Sequence, residues 1–240
     1  MNRETFPSFD PPLQVVRDAP LVTIVFRSGR IALQRLLPAS LDPHADGRVI
    51  FNMWSHEDAS CTTGFGAPAP MSVAYFAVEV NGDQGISTDG RARFPGRCWT
   101  HHWCSLPAAR RYAWEFSGLQ LLDGCTSTAW KGSILDAVFL IDGVWQIRAS
   151  LHVRLDEHTT ASGRSIYYSE RHPANHPAEV AQFDIPWVAD RFNVTNYQVE
   201  INEAGNSPWR VLFDNTQPVV ESVSYREITL VPYVTSRVIA

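Results

Sequence analysis

The densest concentration of chemically capable side chains is RCWTHHWC, residues 97–104, with an arginine, two adjacent histidines, two tryptophans and two cysteines in eight positions. Three chemistries compete for it. As a metal site, Cys98, His101, His102 and Cys104 offer soft or borderline ligands. Zinc sites, however, draw theirs from two loops or from a knuckle and a helix, at spacings such as CxxC and HxxxH. An extended strand sends Cys98, Thr100, His102 and Cys104 to one face and Arg97, Trp99, His101 and Trp103 to the other. The ligands are thereby divided, and no metal site is expected. As a catalytic strand, the face holding Arg97, Trp99, His101 and Trp103 supplies a cation for a carboxylate or enolate and two apolar walls. It also supplies a histidine whose reference pKa of about 6.5 suits proton transfer. His102 serves equally if the strand is turned over. As plain packing, both histidines are satisfied core or rim residues.

Two other residues are candidates for chemistry. Glu79 falls inside the apolar run VAYFAVEV and shares a strand face with Tyr75 and Ala77, so it is either a cavity acid or base or an exposed residue near the strand end. Lys131 is the chain's single lysine. It could form an imine if desolvation lowered its pKa, or it is a surface residue.

The elements that must hold these residues are mostly strands. LVTIVF (21–26), RVIFNMW (48–54), SVAYFAVEV (72–80), GRCWTHHW (96–103) and NYQVEI (196–201) are rich in β-branched and aromatic residues. The stretch 137–155 is two strands joined at Asp142-Gly143, a type I′ hairpin signal. Its polar residues Arg148, Ser150, His152 and Arg154 face either solvent or a barrel interior. A short helix is expected where Ala32, Leu33, Leu36 and Leu37 recur before Pro38. A second spans 105–118, capped by Ser105, with Pro107 in its first turn and Gly118 closing it. Residues 156–180 are polar, with prolines and histidines, and are expected to form a long surface loop with at most one short strand. Residues 1–20, rich in proline and polar groups, are expected to be an arm over a single domain of 1–240. The class is α+β, with a mostly antiparallel sheet large enough to curl or close.

A chain of 240 residues with 45% hydrophobic content can bury a substantial core. Its net charge of −5 argues against nucleic-acid binding, which needs clustered positive charge. No apolar segment of membrane-spanning length or signal-sequence character occurs, so a soluble cytoplasmic protein with free thiols is expected.

LVTIVFRSGRIALQRLLPASLDP (21–43), RVIFNMWSHEDAS (48–60), ISTDGRARFPGR (86–97) and WRVLFDNTQPVVES (209–222) together resemble acetoacetate decarboxylase-like proteins. The resemblance implies a cone-shaped, closed β-barrel around a small apolar cavity, with helices outside and homo-oligomeric assembly. It also implies a Schiff-base decarboxylase of β-keto acids, in which a second lysine lowers the pKa of the nucleophilic one. In this chain the nucleophile position holds Gly96 and its neighbour is Arg97, which stays protonated and forms no imine. The family's two cavity glutamates fall at Asn52 and near Gly66-Ala67, and its cavity arginine falls near Arg17.

The expected function is therefore lyase or cyclase chemistry on a β-keto or polyketide-like carbonyl substrate, by enolate stabilisation and proton transfer without a Schiff base. Decarboxylation, dehydration and cyclisation all fit, as accessory steps of specialised metabolism. The expected catalytic residues are His101, His102, Arg97, Glu79 and Lys131, and the expected substrate contacts are Arg17, Asn52, Tyr75, Trp99 and Trp103, with no cofactor. A non-catalytic binding protein on the same scaffold and a Schiff-base decarboxylase using Lys131 are the alternatives.

Overall fold

The computed structural model describes residues 16–56, 70–172, 178–202, 212–213, 218–230 and 235–239. Residues 1–15 of the expected arm and Gly66-Ala67 lie outside these. Residues 16–20 are already part of the first strand.

Eleven strands and two helices follow in the order β1 (Val16–Arg27), α1 (Arg30–Gln34), β2 (Arg48–His56), β3 (Met71–Ser87), β4 (Arg93–Cys104), α2 (Pro107–Ser117), β5 (Leu122–Asp123), β6 (Cys125–Lys131), β7 (Ile134–Ile141), β8 (Val144–Arg171), β9 (Glu179–Ile201), β10 (Val219–Leu230) and β11 (Thr235–Val238). The β7–β8 turn has positive φ at Asp142 (52°) and Gly143 (74°), as its Asp-Gly sequence requires. α2 ends at Gly118 (φ 64°), whose N–H donates to the Trp114 carbonyl while that of Leu119 donates to Ala113. This paired capping satisfies two orphan carbonyls. Its N-cap is Leu106, not Ser105. The Ser105 hydroxyl instead accepts the Ser72 N–H at 2.9 Å, tying the end of β4 to β3.

Residues 156–171 belong to β8 and residues 179–180 to β9, so the described part of the stretch 156–180 is mostly strand rather than a surface loop. β8 and β9 stay paired from Ile147↔Ile201 to Arg171↔Glu179. The polar part ahead of Ile166, Tyr167 and Tyr168 is offset by cross-strand hydrogen bonds such as Thr160 to Asp190 at 2.6 Å and Arg164 to Asp184 at 3.0 Å.

The pairing closes on itself through β9, β10, β1, β2, β3, β4, β8 and back to β9. Except for the parallel contacts of β4 with β8 and β5, neighbours are antiparallel. One face of this circuit carries the main apolar core, where Ile24, Phe51, Phe76, Phe139 and Leu151 are fully buried beneath β6, β7 and α1. The opposite face, called inner here, carries two smaller clusters: Leu21, Trp54 and Val73 in one, Ala77, Trp99, Tyr167 and Phe183 in the other. α2 lays Ala109 and Ala113 against these inner clusters rather than on the outside. On β8, Arg148, His152 and Arg154 are exposed while Ile147, Ala149, Leu151 and Val153 are buried, so the hairpin's polar face meets solvent.

Candidate active site

The alternation expected of residues 97–104 breaks at Thr100. Tyr75 pairs with His102 and Phe76 with His101, but Ala77 pairs with Trp99, leaving Thr100 as the extra residue of a β-bulge. Arg97, Trp99 and His102 therefore share the inner face, while Cys98, His101 and Trp103 turn to the main core. Trp99 stacks on Tyr167 (centroids 4.7 Å apart, 18°) and lies 5.3 Å from the His102 ring, which meets Tyr75 edge-on at 5.3 Å. On the other side His101 stacks on Trp103 at 5.7 Å, and Trp103 packs 5.0 Å from Phe139. This corrects the sequence reading: His101 and Trp103 do not join the inner group, because the bulge rotates them away.

A polar chain crosses the inner face. The Thr23 hydroxyl donates to Asn52 Oδ1 at 2.5 Å. Asn52 lies opposite Tyr75 on the neighbouring strand, and the Tyr75 hydroxyl lies 3.1 Å from that of Tyr167. Arg97 lies opposite Tyr167, and its guanidinium is 3.7 Å from the Glu79 carboxylate. At that separation only one of the two phenols donates to the other. One phenolic proton of the pair is left to offer to a ligand.

Burial sets the protonation states. It pushes the Tyr75 pKa well above that of an ordinary phenol, helped by Tyr167. Burial alone would lower the Arg97 pKa, yet Tyr167, Glu79 and Tyr75 together raise it. Glu79, 4% exposed, has its carboxyl pKa raised by burial in spite of Arg97 and Arg48. His102 is pushed down to about 3 by burial and stays neutral. The pair Arg97–Glu79 spans neighbouring strands at directly opposed positions.

Not all candidates converge. Lys131 sits at the end of β6, with its side chain 75% exposed and held by Asp136 at 2.8 Å. That hydrogen bond raises its pKa, the opposite of what imine formation needs. Arg17 is exposed at the start of β1. At Gly96 an added Cβ would lie 2.7 Å from the Tyr168 ring and 2.8 Å from the Asp83 carbonyl, so no larger residue fits there without a shift. Among the described residues, His44, Asp46 and Glu79 bring potential ligand atoms within 4.8 Å of one another. Arg48 lies 3.4 Å from Asp46 and Arg97 lies 3.7 Å from Glu79, so guanidinium groups already compensate both carboxylates.

The sequence reading missed Thr23, Tyr167 and Arg226. Arg226 of β10 lies opposite Leu21, an inner-face residue, and within electrostatic reach of Arg97, Tyr167 and Tyr75. A signal for Tyr167 existed in the aromatic run SIYYSE, hidden by its polar surroundings.

No family model and no curated protein sequence matches the chain. Solved structures do match. Acetoacetate decarboxylase from Legionella pneumophila subsp. pneumophila str. Philadelphia 1 superposes with a TM-score of 0.70 at 13% identity, over 95% of this chain and 87% of that one. The fold is that of acetoacetate decarboxylase. An acetoacetate decarboxylase-like enzyme from Sphingomonas wittichii RW1 gives a TM-score of 0.62 at 17% identity, covering 92% of each chain. The enduracididine biosynthesis enzyme MppR, complexed with pyruvate, gives 0.62 at 12%, over 92% of this chain and 88% of that one. On the acetoacetate decarboxylase-like fold, Tyr75, Glu79, Arg97 and His102 all lie on adjacent strands β3 and β4. No helix among the described residues is long and apolar enough to cross a membrane.

Proposed function

We propose that the protein is a lyase-type enzyme acting on a small β-keto or related carbonyl compound, without a covalent imine, in a specialised biosynthetic route. The observation that carries this reading is the Tyr75–Tyr167–Arg97 group on the inner face, where a phenolic proton stands beside a permanent cation. A carbonyl oxygen placed there takes that hydrogen bond and the guanidinium field, both of which strengthen as negative charge develops on it. In a decarboxylation, the bond to the carboxylate carbon breaks. Its electron pair moves into an enolate whose oxygen these groups hold, and the α-carbon then takes a proton. Glu79, with its raised pKa and its carboxylate 3.7 Å from Arg97, is the reservoir for that proton. Neutral His102, with Trp99 and Tyr75, forms wall rather than base. The resemblance to proteins described as decarboxylases, and to MppR with pyruvate, supports a carbonyl substrate. We extend the reading to a cone-shaped barrel enclosing the inner face, and to a homo-oligomer.

The test is turnover of β-keto acids, acetoacetate first, together with borohydride trapping. We expect product without a covalent adduct. We expect K131A to be as active as the unaltered protein and R97Q to lose roughly 10²–10³-fold in kcat, as for removal of an oxyanion donor. A trapped adduct at Lys131 would overturn the imine-free mechanism. Saturable binding of carbonyl compounds with no turnover would leave a binding protein instead.

A further inference from the structure

β10 and β9 place Arg226 and Arg191 directly opposite each other on the inner side, since Arg226 also pairs with Leu21 of the inner cluster. Like charges at opposed positions of an antiparallel pair are destabilising. No hydrogen bond or ion pair is found for either guanidinium among the described residues, and Arg226 Nε is shielded from solvent with no hydrogen-bond partner. Arg97 adds a third cation close enough to repel Arg226, and Arg97 already faces Glu79. Burial, Arg191 and Arg97 push the Arg226 pKa down to about 10, so it remains a cation at neutral pH. Three guanidiniums and one buried carboxylate thus leave this part of the face short of negative charge. Retaining such a pair costs stability, and the cost is recovered only when an anion enters.

We infer that Arg226 and Arg191 form a recognition site for an anionic oxygen group of the ligand, a carboxylate or phosphate, apart from the carbonyl end held by Tyr75, Tyr167 and Arg97. Arg226 presents donors in a planar fork suited to two oxygens, and exposed Arg191 closes the contact from the rim. The ligand is then a carbonyl compound that carries its charge at a defined distance from the reacting oxygen. This deepens the function proposed above and rests on it for the carbonyl end only.

The experiment measures binding to the full chain by calorimetry and thermal shift, with glutarate, inorganic phosphate and neutral acetone as probes. None of these needs to react. We expect saturable stabilisation by one or both anions, weakened at least roughly tenfold in R226Q and less in R226K, which keeps charge but not the fork. Free R226Q should melt at a higher temperature than the unaltered protein, because it loses an uncompensated cation. Glutarate against phosphate distinguishes the two oxyanion sources. Equal anion affinity in R226Q, no anion binding at all, or a lowered melting temperature in free R226Q would each overturn the site. The anion probes lack a ketone, so a failure of carbonyl turnover leaves this test intact, and the reverse also holds.

Discussion

His102 is an imidazole kept neutral by burial, and this has a measurable consequence for stability. Its pKa of about 3 in the folded state compares with about 6.5 unfolded. As pH falls through 6.5 the unfolded chain takes up the proton first. Stability is therefore lost on acidification, with a slope approaching about 1.4 kcal/mol per pH unit. Glu79 acts in the opposite sense: its raised carboxyl pKa means that the folded state takes a proton more readily than the unfolded one, which favours folding as pH falls. Comparing the same chain with and without His102 isolates the histidine. We expect H102F to flatten the fall in unfolding free energy between about pH 7 and pH 5, measured by urea titration at each pH. Parallel slopes in the two proteins would show that His102 does not stay unprotonated. Arg97 and Glu79 were legible at this scale because a charge inside an apolar strand is conspicuous. Tyr167 was not, since an aromatic beside polar residues is also what a strand edge looks like.

At the scale of the element, β4 is decided by one inserted residue. Without the bulge, Trp99 and His101 would share a face and His102 would enter the main core. Thr100, half-buried, keeps Trp99 on Tyr167 while Trp103 fills the space beside Phe139. Deleting Thr100 removes the extra residue and leaves Trp99, His101 and His102 opposite Ala77, Phe76 and Tyr75 in a regular ladder, with every side chain on its present face. We expect a loss of no more than about 1 kcal/mol, read as a nearly unchanged urea midpoint. A loss of about 3–5 kcal/mol, comparable to truncating a buried aromatic, would show that the local bend at the bulge is needed to seat Trp99 and Trp103. The bulge has no signature in the segment itself, because threonine suits a regular strand as well as a bulge. The hairpin at Asp142-Gly143 and the helix stop at Gly118 are the contrary case, since their backbone angles select those residues locally.

At the scale of the whole molecule, β3 and β4 serve both sides of the circuit. Phe76 and Val78 enter the main core while Tyr75 and Ala77 line the inner clusters. Neither side can lose its packing and leave the other intact. We expect unfolding followed by the fluorescence of the eight tryptophans, Trp99 and Trp103 among them, to coincide with loss of the far-ultraviolet strand signal. Two separated transitions would show that the inner face melts independently. The long β8 has the same double role: it pairs with β7 near Leu151 and with β4 at Tyr167, so it links the outer hairpin to the site.

The sequence by itself determined the strand-rich character, the Asp-Gly hairpin, the second helix, and the absence of a lysine where Gly96 and Arg97 stand. Each follows from residue identity, local spacing or backbone preference within a few positions. It also carried enough of the scaffold for the resemblance to be recognised. Only the tertiary structure decided which histidine turns inward, that residues 156–171 are strand, and that Tyr167, Arg226 and Asn52 meet Arg97 and Tyr75. Those outcomes depend on pairing between segments up to two hundred residues apart, where register sets the face and neighbouring strands choose the register.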